Sequence, residues 1–145
     1  MTSVNAVPAA DGVHVAVLMG RLMEQIRATF AGEDWGGLRQ SHFRLLWNVP
    51  AEGIRITDLA RRLRMTKQAG GQFVTFLEGT GHVRTVRDPQ DRRARVVLRT
   101  PRGDRTVAAV DARIRRIERE WAQRVGPQRY AQFRAVLAEL GAGPG

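Results

Sequence analysis

Four arginines, Arg87, Arg92, Arg93 and Arg95, crowd one short stretch that also holds Asp88 and Asp91. Guanidinium groups gathered at a turn suit phosphate and the minor groove of duplex DNA. Each presents a planar fork of donors to anionic oxygens, and a narrow groove concentrates negative potential on it. The aspartates would repel phosphate unless they orient arginines or hold the turn, and Asp91 and Arg93 have the spacing for such a pair. Upstream, Lys67, Gln68, Gly71, Gln72 and Thr75 recur at helical spacing and share one helix face. Glutamine reads adenine through two hydrogen bonds. Gln68 and Gln72 stand one turn apart, so both can enter the same groove. Lys67 and the hydroxyl of Thr66 suit phosphate.

These residues need short elements to hold them. Apolar periodicity predicts a helix from Val13 to about Phe30, carrying Val15, Leu18, Met19, Leu22, Ile26 and Phe30 on one face. A Gly-rich break follows, then a second helix after Ser41 as N-cap, stopped by Pro50. Ile54–Ile56 reads as a short strand. Thr57 is placed to cap a third helix with Leu59, Ala60 and Leu63 inside. Arg64-Met65 makes the turn, and Thr66 caps a fourth helix from Lys67 to about Thr80. The inner face of that helix would be Ala69, Phe73, Val74 and Leu77, with Gly81 as its left-handed stop. This helix–short turn–helix spacing is that of a helix-turn-helix. His82–Arg87 and Val96–Thr100 read as strands, with Asp88–Ala94 as the loop between them. The expected fold class is mainly α with a small β-hairpin wing: a winged helix-turn-helix plus N- and C-terminal helices.

Gly70-Gly71 conflicts with its helix, because each glycine costs about 1 kcal/mol there relative to alanine. Three readings stay open. The helix is kept thin for close approach by something else, it is partly flexible until DNA orders it, or the cost is simply tolerated.

Charge supports nucleic acid as the partner. The chain of 145 residues carries a net +10. Residues 54–105 hold 13 Lys/Arg against five Asp/Glu, a net of +8, and the remainder has a net of +2. A surplus for solubility would be spread evenly; this one is concentrated.

After Pro101 and Gly103 a long helix carries Val107, Val110, Ile114, Ile117, Trp121 and Val125 at spacings of 3, 4, 3, 4 and 4, a seam of coiled-coil type. Asp111 with Arg115 and Glu120 with Arg124 are placed to pair along it. Gly126-Pro127 ends it and starts a last helix with Tyr130, Phe133, Leu137 and Leu140 on its apolar face. The seam packs within the chain or against a second copy. A twofold protein would match a palindromic site, so a homodimer is expected. The residues expected at its interface are Leu18, Leu22, Val110, Ile114, Ile117, Trp121, Tyr130, Phe133 and Leu137. The expected organisation is an arm at residues 1–12 and a single domain at 13–145. Within that domain, residues 54–105 would form the DNA-binding lobe, and 13–31 and 103–140 the dimerisation helices.

Other functions lose support on inventory. There is no cysteine, hence no disulfide, thiolate zinc site or thiol sensor. His14, His42 and His82 lack metal-ligand spacing, and no carboxylate pair, nucleophile triad or phosphate loop is recognisable, so no enzyme, metal or cofactor is expected. No apolar run reaches a membrane span. The N-terminus lacks the pattern of an export signal, so a cytoplasmic location is expected. A winged helix used to bind protein or RNA, without ligand response, is the alternative. It would want an exposed apolar patch or stacking aromatics in place of this basic segment.

The motifs TDLARRL-x-MTKQA, FVxxLExxGxV and DPQDRRARVVL-x-T-x-x-G in residues 57–103 resemble the multiple-antibiotic-resistance-regulator (MarR) family of transcription factors. The similarity in helix order runs from about residue 13 to residue 140. It implies a homodimeric winged-helix repressor joined through its terminal helices. The start of the fourth helix would lie in the major groove and Arg93 in the minor groove, with Asp91 as its orienting partner. It also implies a small aromatic or phenolic effector near Trp35, His42, Phe43 and Trp47. Three residues depart from the family pattern: Arg64, where the turn usually has glycine; the Gly70-Gly71 pair; and Phe76, where a polar residue is common.

Overall fold

A computed structural model of the protein describes residues 12–144. The expected N-terminal arm therefore lies, apart from Gly12, outside the described residues. The elements run α1 (Val15–Phe30), α2 (Gln40–Trp47), β1 (Ile54–Arg55), α3 (Ile56–Arg62), α4 (Lys67–Gly79), β2 (Val83–Asp88), β3 (Asp91–Arg99), α5 (Pro101–Val125) and α6 (Pro127–Gly141). The described residues fall into two compact units, 34–115 and 12–33 with 116–144. The first is wider than the 54–105 segment singled out by its charge, because α2 supplies part of its core.

In the 34–115 unit, α2, α3 and α4 close over one face of a small antiparallel sheet of order β1-β3-β2. Leu45, Leu46, Val49, Leu59, Leu63, Val74, Leu77, Val83 and Val97 form the core. Each contributes about 1.5–3 kcal/mol by leaving water. The helix-turn-helix follows from local signals. Leu59 and Ala60 are buried on α3, and Arg64 makes the turn with φ 54, the left-handed conformation that glycine adopts at less cost. Thr66 then caps α4, its Oγ1 accepting from Ala69 N–H at 3.0 Å.

Three boundaries differ from the sequence reading. The cap of α2 is Arg39 and not Ser41: His42, at the third helical position, reaches back and its Nδ1 accepts from Arg39 N–H at 2.8 Å, the part a Glu or Gln side chain plays in a capping box. Thr57 lies inside α3, because β1 ends its pairing with β3 at Arg55, which stays extended and takes the cap position. The largest difference is the wing. Its second strand starts at Asp91, so the predicted Asp88–Ala94 loop shrinks to Pro89-Gln90. Asp88 pairs with Asp91 and Arg87 with Arg95, and cross-strand bonding outweighs the weak strand propensity of an Arg-rich run.

The wing is anchored at both ends. Near the tip, Arg55 Nη2 lies 2.6 Å from Asp88 Oδ2. At the base, Thr100 Oγ1 donates to the Gly81 carbonyl and accepts from Gly103 N–H, and Thr100 N–H donates to the His82 carbonyl. This knot joins the end of α4, both wing strands and the start of α5.

In the other unit, α1 buries no residue, while Ile117 and Tyr130 are buried. Trp121 Nε1 donates to Gln25 Oε1 at 2.8 Å, and Tyr130 OH donates to Glu118 Oε1 at 2.7 Å. Burial, then the Glu118 carboxylate, pushes the Tyr130 phenol up to about 12. Earlier on α5, within the 34–115 unit, Asp111 and Arg115 form the expected pair at 2.7 Å. Glu120 and Arg124 form none among the described residues; both are exposed, where such a pair gains little over hydration.

Candidate nucleic-acid interface

The exposed side of α4 and the β2–β3 wing together make one strongly cationic surface. Lys67, Gln68, Gln72 and Thr75 are exposed along α4, and Thr75 Oγ1 donates back to the Gly71 carbonyl at 2.9 Å. Thr66 uses its hydroxyl oxygen on the helix cap, which leaves the hydroxyl proton for a phosphate. On the wing, Arg87, Arg92, Arg93 and Arg95 are exposed. Among the described residues none of their guanidinium groups has a carboxylate within ion-pair distance. Arg87 and Arg95 are direct cross-strand partners, an arrangement that disfavours the hairpin until an anion lies between or above them.

The two aspartates divide the work of holding the turn and pairing with an arginine. Asp91 Oδ1 accepts from the Arg93 backbone N–H at 3.0 Å, so it fixes the strand under Arg93 and leaves the guanidinium free. The carboxylate that does pair with an arginine is Asp88, whose Oδ1 also accepts from Gln90 N–H. Those bonds, to Gln90 first and then Arg55, hold the Asp88 carboxyl below its usual range. Sequence reasoning missed Arg55 because its partner is 33 residues away. It also missed Glu78, whose Oε2 accepts from Thr85 N–H at 3.0 Å and Thr85 Oγ1 at 2.7 Å, tying the end of α4 to β2. Thr100 was legible in principle: threonine before a proline that opens a helix is a cap signal.

Three of the four aromatic-region residues fall into two groups. Trp35 meets Phe43 edge to face at 5.5 Å, with Arg113 over the Trp35 ring at 5.8 Å. His42 is buried and stacks on Phe76 at 4.4 Å, with Phe73 edge-on at 5.4 Å. This contact explains Phe76: it is the partner of the histidine that caps α2. Trp47, 54% exposed, joins neither group. Among the described residues no cluster of side chains suits a metal ion, and no helix is long and apolar enough to cross a membrane.

Both buried histidines respond to acid. Burial, then the Arg39 charge, holds His42 below its ordinary value of 6.5, and burial with Arg102 does the same for His82. The fold keeps both neutral, while the unfolded chain takes up protons from about pH 6.5 downward. Stability is therefore complete above that pH and falls as pH drops below it. Urea midpoints at pH 7.5 and pH 5 should show the loss, and His42→Gln should reduce it. Equal midpoints at the two pH values would contradict this assignment.

Residues 37–94 match the model of the MarR family. The matched segment runs from α2 to the start of β3. No curated protein matches its sequence significantly. The fold is shared with the PcaV transcriptional regulator from Streptomyces coelicolor in complex with its natural ligand. That likeness has TM-score 0.70 and 20% identity over 94% of this chain and 98% of that one. Two DNA-bound structures are also similar. The transcriptional repressor CouR on a 23-mer duplex has TM-score 0.72 and 22% identity over 88% of this chain and 89% of that one. FabT of Streptococcus pneumoniae with DNA has TM-score 0.75 and 14% identity over 88% and 90%.

Proposed function

We propose that this protein is a DNA-binding transcriptional regulator of the MarR family, a repressor that binds a pseudo-palindromic operator as a homodimer. The start of α4, through Gln68 and Gln72 with Lys67, Thr66 and Thr75 around them, enters the major groove. The wing, through Arg93 with Arg87, Arg92 and Arg95, enters the flanking minor groove. The observation that carries the reading is the unneutralised charge of the wing: four exposed guanidinium groups, two of them directly opposed across the hairpin. Such a surface is stable next to a polyanion and costly without one.

Exposed apolar side chains support the twofold assembly. Met19 and Met23 on α1, and Phe133, Val136 and Leu137 on α6, all remain accessible, more than an isolated unit of this size tolerates well. Leu18, Leu22, Ile114, Ile117, Trp121 and Tyr130 would lie in or beside that interface, with Val110 further along the α5 seam. Release by a small aromatic ligand is part of the same reading. Trp35 and Phe43, in edge-to-face contact, are the aromatic surface for it, with Arg113 over the Trp35 ring.

The test is equilibrium binding of the full-length protein to duplex DNA from upstream of its own gene, against a scrambled duplex, across a salt series. With six or more phosphate contacts, affinity should fall about a thousandfold between 50 and 200 mM salt. Equal affinity for both duplexes, or a flat salt response, would rule the reading out.

A further inference from the structure

The two glycines in α4 have different causes. A Cβ on Gly70 would sit 2.9 Å from Ala60 Cβ, so Gly70 lets α3 and α4 close on each other. A Cβ on Gly71 would meet nothing within 4 Å. The fold does not need Gly71, although the helix loses stability by having it.

Gly71 borders a groove of about 430 Å³ between α4 and the sheet, whose other walls include Gln68, Gln72, Thr75, Thr85 and Arg95. The cross-strand register puts Thr85, Arg87 and Arg95 on one face of the wing, so Arg95 faces the helix across this groove. Glu78 closes one end, its Oε2 turned onto Thr85.

A helix in the major groove and a hairpin in the adjacent minor groove straddle the sugar–phosphate strand that divides them. That strand must cross the gap between the two elements. We propose that the α4–wing groove is the seat of this strand, and that Gly71 is the position whose missing side chain lets it descend onto the helix, opposite Arg95. The proposal rests on the DNA reading above and deepens it. Gly71 becomes an affinity-determining residue that makes no side-chain contact.

The experiment uses the full-length protein and the duplex that the wild type enriches from a random pool, with a scrambled duplex beside it. Gly71→Ala and Gly71→Leu are compared with wild type for unfolding temperature and for binding. At fixed protomer concentration Gly71→Ala should raise the unfolding temperature by about 3 °C. It should nevertheless weaken binding about tenfold, the scale of one lost charge-assisted contact, and Gly71→Leu should weaken it further. The loss should be the same factor on both duplexes, because the sugar–phosphate strand carries no sequence. Wild-type affinity in both variants would overturn the proposal, as would a loss confined to the selected duplex, which would mean that Gly71 faces a base. If the wild type enriches nothing, the operator reading fails and this inference with it. If the wild type binds with steep salt dependence and the variants bind equally well, only the groove assignment fails.

Discussion

Arg93→Ala is expected to lower affinity for the selected duplex by about ten- to a hundredfold and to leave the unfolding temperature where it was. The two readouts separate because of how Arg93 is held. Its backbone N–H is fixed by Asp91, whereas its guanidinium makes no ion pair among the described residues and is exposed. Truncation therefore removes no fold contact, and in the proposed complex it removes a DNA contact. The salt slope should fall by about one, since one phosphate-facing or groove-facing cation is gone. Asp91→Ala is the informative companion. It frees the Arg93 amide without touching the charge, so a smaller affinity loss there would separate placement of the arginine from the arginine itself. Unchanged affinity in Arg93→Ala would mean that the wing does not enter the minor groove through this residue.

Gly103→Ala is expected to destabilise the fold strongly. A Cβ at this position would run into the His82 carbonyl oxygen, which is backbone and already accepts from Thr100 N–H. The clash has no flexible side chain to absorb it, so either α5 shifts or the Thr100 knot opens. Overpacking of this kind costs about 3 kcal/mol, a fall of about 10 °C in unfolding temperature for a domain of this size. Because the same knot sets the base of the wing, the surviving folded protein should also bind DNA more weakly. A variant with wild-type unfolding temperature would show that the junction is looser than its hydrogen bonds imply.

Much of this was legible from sequence because its physical causes are local. The Thr66 cap, the left-handed Gly81 stop and the apolar spacing of Leu59, Ala60 and Leu63 act within a few residues, and each appears in the structure. Charge is additive along a chain, so the concentration of arginines between residues 54 and 105 needed no coordinates. The strain at Arg64 has an equally local cause: it stands where the turn usually has glycine, and its φ of 54 puts a Cβ into the left-handed region.

What the tertiary structure alone decided depends on pairings between distant residues. Strand β3 begins at Asp91 because β2 lies beside it, and no propensity of an Arg-rich run would have placed it there. Asp88 meets Arg55 and Glu78 meets Thr85, which turns apparently misplaced carboxylates into the struts that aim the wing. Two adjacent glycines, indistinguishable as letters, were separated by what lies across from each: the Cβ of Ala60 facing one, open space beside the other.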